Sequence, residues 1–220
     1  MDAPEPPEDL AAALNELPLF PLRHAVLFPG VLLPLHVFEP RYVTMVRDSL
    51  DTHRCLSIVQ ITDPHADLSG NPPIAETAGV GTIVDYSELP GSRYNLLLVG
   101  RARARIQERS FVPPYRRAIA NLLRSHNKDV PPLEVAALHA AAAAFAAIVS
   151  ERDSSFEMRL PKDATPGVIA DACAHALVID PREKQAMLET LDVRKRVRDV
   201  TAVLTVQRTT LQPENSGMLN

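Results

Sequence analysis

Four prolines, Pro18, Pro21, Pro29 and Pro34, punctuate the stretch from Leu17 to Leu35 at intervals no α-helix tolerates. Each lacks the amide donor of a helical turn, and its ring collides with the carbonyl one turn back. Between them lie short apolar runs, Leu19-Phe20, Val26-Leu27-Phe28 and Val31-Leu32-Leu33. These are read as short strands at sheet edges or bends, with Pro29-Gly30 as a turn between two of them.

A helix interrupts this β texture at Glu39-Pro40, where proline suits the first turn and Tyr42, Val43, Met45, Val46 and Leu50 recur at helical spacing. Further strands are expected at Leu56 to Ile61, Gly79 to Tyr86, Tyr94 to Val99 and Ala102 to Ile106, about six in all, forming a closed or curled sheet. Pro113-Pro114 is expected to end the strand set, with a polar linker over 124–132. Beyond it an Ala-rich helix runs from about Leu133 to Arg152, and later helices start at Thr165-Pro166, at the capping box Asp180-Pro181-Arg182-Glu183, and after Asp192. The last carries an apolar seam of Val193, Val197, Val200, Leu204 and Leu211, opposite a face of Arg194, Lys195, Arg196 and Arg198 expected to be solvated.

Composition narrows the function classes. A net charge of −4 disfavours a protein that coats nucleic acid or an anionic membrane. Residues 1–16 are acidic and Pro-rich, and read as a flexible tail, as do residues 212–220. Cys55 and Cys173 stand alone in apolar runs, so neither a disulfide scaffold nor a thiolate metal site is signalled. No basic, apolar leader opens the chain and no apolar stretch is read as reaching the roughly 20 residues that cross a bilayer, so the expectation is a cytoplasmic protein without a membrane role.

Catalytic spacings are missing. There is no phosphate loop, Gly79-Val80-Gly81 lacks the third glycine of a dinucleotide fingerprint and reads as a strand bend, and neither a nucleophile elbow nor a zinc-binding HExxH occurs. Histidines such as His36, His139 and His175 are scattered singly, and no metal ligand set is assigned. Ser154, Ser155 and Lys162 lie in a connection where solvent keeps a lysine protonated, which argues against a Ser-Lys dyad. Arg101, Arg103 and Arg105 alternate, which places three guanidiniums on one strand face as a possible nucleic-acid surface; half-buried strands alternate in the same way.

The run from Leu17 to Gly30, followed by Leu33-Pro34-Leu35-His36-Val37-Phe38-Glu39-Pro40-Arg41-Tyr42, closely resembles the start of the Lon substrate-binding (N-terminal) domain. Gly79 to Ile83, Leu97 to Arg103 and Glu183 to Glu189 are similar to that family's internal strands and late helical motif. The resemblance implies an α+β fold: a PUA-like β-barrel over 17–123 followed by an α-helical bundle over 133–211. Full Lon proteases continue into an ATPase module and a Ser-Lys peptidase, whereas this chain ends about ten residues after its last seam position. The expectation is therefore a non-catalytic protein with no cofactor that recognises unfolded or exposed apolar polypeptide, as an adaptor or holdase, with a protease or chaperone as a further partner class. An RNA-binding PUA-like module is the alternative, and an uncharacterised hydrolase comes last.

The candidate peptide-binding site is the corner Phe38, Glu39, Arg41 and Tyr42, where strand hands over to helix and an aromatic anchor sits beside two opposite charges.

Overall fold

Around the prolines the chain is extended, as their spacing requires. The computed structural model describes residues 8–67, 71–158 and 163–211, and the chain divides into two units, Met1–Arg124 and Ser125–Asn220. In the first, helix α1 (Glu8–Ala13) precedes strands β1 (Leu17–Leu22) and β2 (Leu32–Val37), helix α2 (Pro40–Leu50), and strands β3 (Cys55–Gln60), β4 (Thr77–Leu89), β5 (Arg93–Glu108) and β6 (Arg117–Leu123). The strand order is β2-β5-β4-β3-β1-β6, and β6 also pairs with β5.

β1 and β3 are parallel, with Leu19 opposite Ser57 and Phe20 opposite Ile58, and β3 is buried along its whole length. Strands buried on both faces read as continuous apolar runs, which is why these two show no alternation. One face supplies Phe20, Leu56, Ile58, Ile83 and Leu98 to a cluster shared with Tyr42, Val43, Met45 and Val46 of α2. The other supplies Leu17, Leu19, Cys55, Val59, Ala78 and Ile106 to a second cluster, joined by Leu10 and Ala13 of α1.

That second cluster corrects the expectation of a flexible tail over residues 1–16. From residue 8 the chain is helical, because Leu10 (2% exposed) and Ala13 (0%) cover a sheet face that would otherwise meet water. Residues 1–7, and the second expected tail at 212–220, lie outside the described residues.

Val26-Leu27-Phe28 is a buried crossing segment rather than a strand. It passes so close to the sheet that a Cβ on Gly79 would lie 1.9 Å from the Leu27 carbonyl oxygen, and one on Gly100 would lie 2.0 Å from that of Phe28. Glycine is the one residue that permits this approach. The runs expected as separate strands at Tyr94–Val99 and Ala102–Ile106 form one strand, β5, with a bulge: Val80 faces Ala102 and Gly81 faces Gly100, leaving Arg101 unopposed. After Pro113-Pro114, where strands were expected to stop, β6 returns to pair with β5.

β2 is an edge strand, pairing with β5 alone. The Gly100 amide donates to Val31 O at 2.8 Å, so Val31, Leu33, Leu35 and Val37 direct their backbone groups to β5. Alternation turns those of Leu32, Pro34 and His36 outward. At the middle of that outward row stands the one residue type with no N–H.

The second unit holds α3 (Pro132–Arg152), α4 (Pro166–Leu177), α5 (Pro181–Glu189) and α6 (Val193–Leu211). Asp180 caps α5 by accepting the Arg182 amide at 2.8 Å, and Asp192 accepts that of Lys195 at 2.8 Å. Val193, Val197, Val200 and Leu204 are buried as their spacing predicts, against a core that includes Leu138, Phe145 and Ile148 of α3 and Ile169 and Cys173 of α4. Burial pushes the Cys173 thiol up to about 12, which leaves it no thiolate character near neutral pH.

The solvated-face reading of α6 fails at Arg196, which is 1% exposed and has Nε 2.9 Å from Asp171 Oδ1. Arg194 and Arg198 both bind Glu134 of α3, at 2.7 and 2.6 Å, and hold its carboxyl down to about 2. The expected linker is partly structured: the His126 amide donates to Leu191 O and the Val193 amide to His126 O, both at 3.0 Å. The reading that no apolar stretch approaches a bilayer's width also needs correction, since α3 has 21 residues and is long and apolar enough by length and composition. Its alanines account for that; Leu138, Ala142, Phe145 and Ile148 are buried within the unit.

Candidate functional site

The corner expected to bind peptide separates into a surface part and a core part. Phe38 is 62% exposed and stacks on His36, ring centroids 5.9 Å apart, while His36 Nδ1 lies 2.8 Å from Asn95 Oδ1. Glu39 precedes the first turn of α2 and accepts from Arg41 Nε at 3.1 Å and Nη2 at 3.0 Å. The Arg41 guanidinium lies over the Tyr42 ring, 4.5 Å from its centroid. Tyr42 itself is 7% exposed and packs on Phe20 at 4.5 Å, and burial raises its hydroxyl pKa. The helical phase that turns Val43, Met45 and Val46 inward takes Tyr42 with them, so it supports the corner from beneath instead of offering an aromatic anchor.

The structure supplies different apolar groups at this place. A cleft lined by Arg41 and Tyr42 is closed on its other side by Phe111, Pro114, Tyr115 and Arg116 from the β5–β6 connection. Phe111 and Val112 are 46% and 60% exposed, while Tyr115 is buried. A larger groove of about 520 Å³ is lined by Glu16, Arg109, Ser110, Val112, Tyr115 and Arg117. A third hollow, about 280 Å³, shares Glu16, Tyr115 and Arg117 and reaches Asp48 and His53 at the end of α2. Tyr115 thus lines all three depressions. Its hydroxyl donates to Asp48 Oδ2 at 2.6 Å and accepts from Arg117 Nη2 at 2.9 Å, and the Arg117 guanidinium sits 4.5 Å from its ring centroid. Burial and the bond to Asp48 raise its pKa, which keeps the hydroxyl protonated.

The alternation that suggested a nucleic-acid face on β5 does not survive. Arg101 and Arg105 are exposed, but Arg103 is 4% exposed, with its guanidinium 5.9 Å from the Phe28 ring. The crossing segment that closes on the glycines also covers this arginine. Arg101 sits at the bulge and donates to Thr82 Oγ1 at 3.2 Å, so the three do not form one exposed row.

Ser155 donates from both its amide and its hydroxyl to Asp153 Oδ1, at 2.9 and 2.6 Å, in a turn after α3; Lys162 lies outside the described residues. Among the described residues no three His, Cys, Asp or Glu side chains gather as a metal site.

Residues 16–206 match the family described as the ATP-dependent protease La (LON) substrate-binding domain. The chain belongs to that family. It is 32% identical over 214 residues to a Lon protease of Roseiflexus castenholzii, covering 94% of this chain and 26% of the relative. It is 31% identical over 211 residues to Lon protease 2 of Sorangium cellulosum, covering 86% and 24%. The chain thus spans about a quarter of the length of these proteases. Its fold matches a Lon N-terminal domain protein from Xanthomonas campestris (TM-score 0.62, 24% identity, covering 86% of this chain and 98% of that one). It also matches the N-terminal domain of a Mycobacterium avium complex Lon protease (TM-score 0.63, 15% identity, 87% and 98%). Lon-domain membership agrees with the resemblance carried by the Leu17-to-Tyr42 segment.

Proposed function

We propose that this Lon-domain chain is a non-catalytic recognition module that engages exposed apolar polypeptide segments as an adaptor or holdase. On this reading the strand pairing of the first unit is a PUA-like barrel and the second unit is a helical bundle. The observation that carries the proposal is the Tyr115-centred groove system, where exposed Phe111 and Val112 stand beside Arg41, Arg109 and Arg117. Recognition surfaces have this composition: apolar and aromatic anchors within a rim of arginine and polar groups. The family's description as a substrate-binding domain supports the same reading. RNA binding has less behind it, since burial of Arg103 breaks the basic row on which it rested.

The test uses fluorescently labelled, reduced and carboxymethylated α-lactalbumin as an unfolded client, titrated by anisotropy. Binding should persist as salt rises. The double substitution Phe111→Ser with Val112→Ser should weaken it about tenfold, equivalent to about 1.4 kcal/mol, with melting unchanged within a few degrees. Arg41→Glu should weaken it in the same sense. If neither change moves the affinity of folded protein, the groove is not the binding surface. Turnover of casein or ATP that copurifies with the protein through further steps would overturn the non-catalytic reading.

A further inference from the structure

The larger groove has a chemistry more specific than apolar capture. Arg109 and Arg117 flank the β5–β6 connection, and their backbones are joined by the Arg109 amide donating to Arg117 O at 2.9 Å, so both guanidiniums start from one fixed point. Each carries five N–H groups in a planar fork that matches a carboxylate. Arg109 engages Asn15 O at 2.9 Å and Glu16 Oε1 at 3.1 Å. Arg117 engages Tyr115 Oη at 2.9 Å and lies 4.0 Å from Asp48. Both side chains remain partly exposed, at 43% and 31%. The groove lining therefore holds two cations against the single anion Glu16, together with the Ser110 hydroxyl and one apolar wall, Val112.

We infer that this groove receives the free C-terminus of a polypeptide, with the α-carboxylate held between Arg109 and Arg117 and the last, apolar side chain against Val112. The inference rests on the polypeptide-binding reading above and deepens it. An aspartate or glutamate side chain offers the same anion but no apolar group beside it. In a chain terminus the carboxylate and the final side chain share one Cα, which matches two arginines placed next to one apolar wall. The preceding residues continue past Tyr115 into the hollow that ends at Asp48 and His53. Glu16 and Asp48 are the features that oppose such a ligand, and their pairing with Arg109 and Arg117 moderates the repulsion.

The probe is a fluorescein-labelled decapeptide of Gly and Ser ending in Val-Leu-Phe, made with a free C-terminus, as its C-terminal amide, and with glutamate placed before an amidated end. Anisotropy at low and physiological salt should give the free acid at least tenfold tighter binding than either amide. Arg117→Gln and Arg109→Gln, checked for folding by melting, should each collapse that ratio toward one, whereas Glu16→Gln should tighten the free acid and leave the amides unchanged. Equal binding of acid and amide overturns carboxylate capture while leaving polypeptide binding in place. Preference for the internal glutamate overturns the terminus as its source, and absence of binding by all three peptides overturns both readings.

Discussion

Arg196→Met tests the packing of the second unit most directly. The substitution keeps an unbranched stem of similar reach but removes the guanidinium from a site 1% exposed, leaving Asp171, 4% exposed, without the cation 2.9 Å away. It also removes a donor to the Thr190 carbonyl, which links the end of α5 to α6. Breaking a buried pair from one side costs about 3 to 5 kcal/mol, because the remaining charge keeps its desolvation penalty. For a unit of this size each kcal/mol moves the melting temperature by about 4 to 8 °C, so the helical transition should fall by about 12 °C or more. Circular dichroism at 222 nm with urea titration reads this. Replacing both partners, Arg196→Met with Asp171→Leu, should restore most of the loss, since two apolar groups leave no charge to solvate. A loss under about 1 kcal/mol for Arg196→Met alone is what an exposed pair gives. That result would refute the burial argument.

Three further outcomes follow from other contacts. Gly79→Ala should destabilise the first unit by about 3 kcal/mol or more in urea unfolding, because its Cβ would meet the Leu27 carbonyl at 1.9 Å; Gly30→Ala, with open space but a φ of 81°, should cost only about 1 to 2 kcal/mol. Glu134 is held at about 2 in the fold against an ordinary 4.5. Its stabilising contribution is therefore complete above about pH 4.5 and is lost as pH falls toward 2, so the melting difference between wild type and Glu134→Gln should shrink across that window. Pro34→Val should raise light scattering during prolonged incubation by completing the outward row of β2 donors, and unchanged scattering would show the edge to be protected by other means.

Much of the first unit was legible because proline acts locally: strands and one helix follow from which residues lack an amide. What escaped depended on distant partners. Val26-Leu27-Phe28 looks like a strand until glycines at 79 and 100 let it press against the sheet. Arg103 looks like a surface cation until that same segment covers it. Arg196 was legible and misread: it stands three residues after Val193 and four before Val200, on the seam side of α6, but its charge suggested solvent. Residues 8–13 were judged by their acids, although Leu10 and Ala13 carried the helix's purpose. Half of the candidate site, Arg41 above Tyr42, was visible as a motif. The other half, Phe111 to Arg117, is brought there by the return of β6, and its one local signal was the placing of Phe111 and Tyr115 around two prolines.

Under the proposed role in engaging apolar polypeptide, Pro34 has a consequence that reaches past the protein's own stability. A chain that collects clients with exposed apolar strands raises their local concentration beside its own sheet, and an open edge there would be the first template they meet. Withholding one N–H at the centre of β2 interrupts the ladder a client would have to copy, leaving outward amides only at Leu32 and His36, two residues to either side. Capture through side chains in a groove is reversible, whereas capture along a backbone edge propagates from chain to chain. On the holdase reading proposed above, the placement of a single imino acid would let the molecule hold aggregation-prone partners without becoming the seed on which they polymerise.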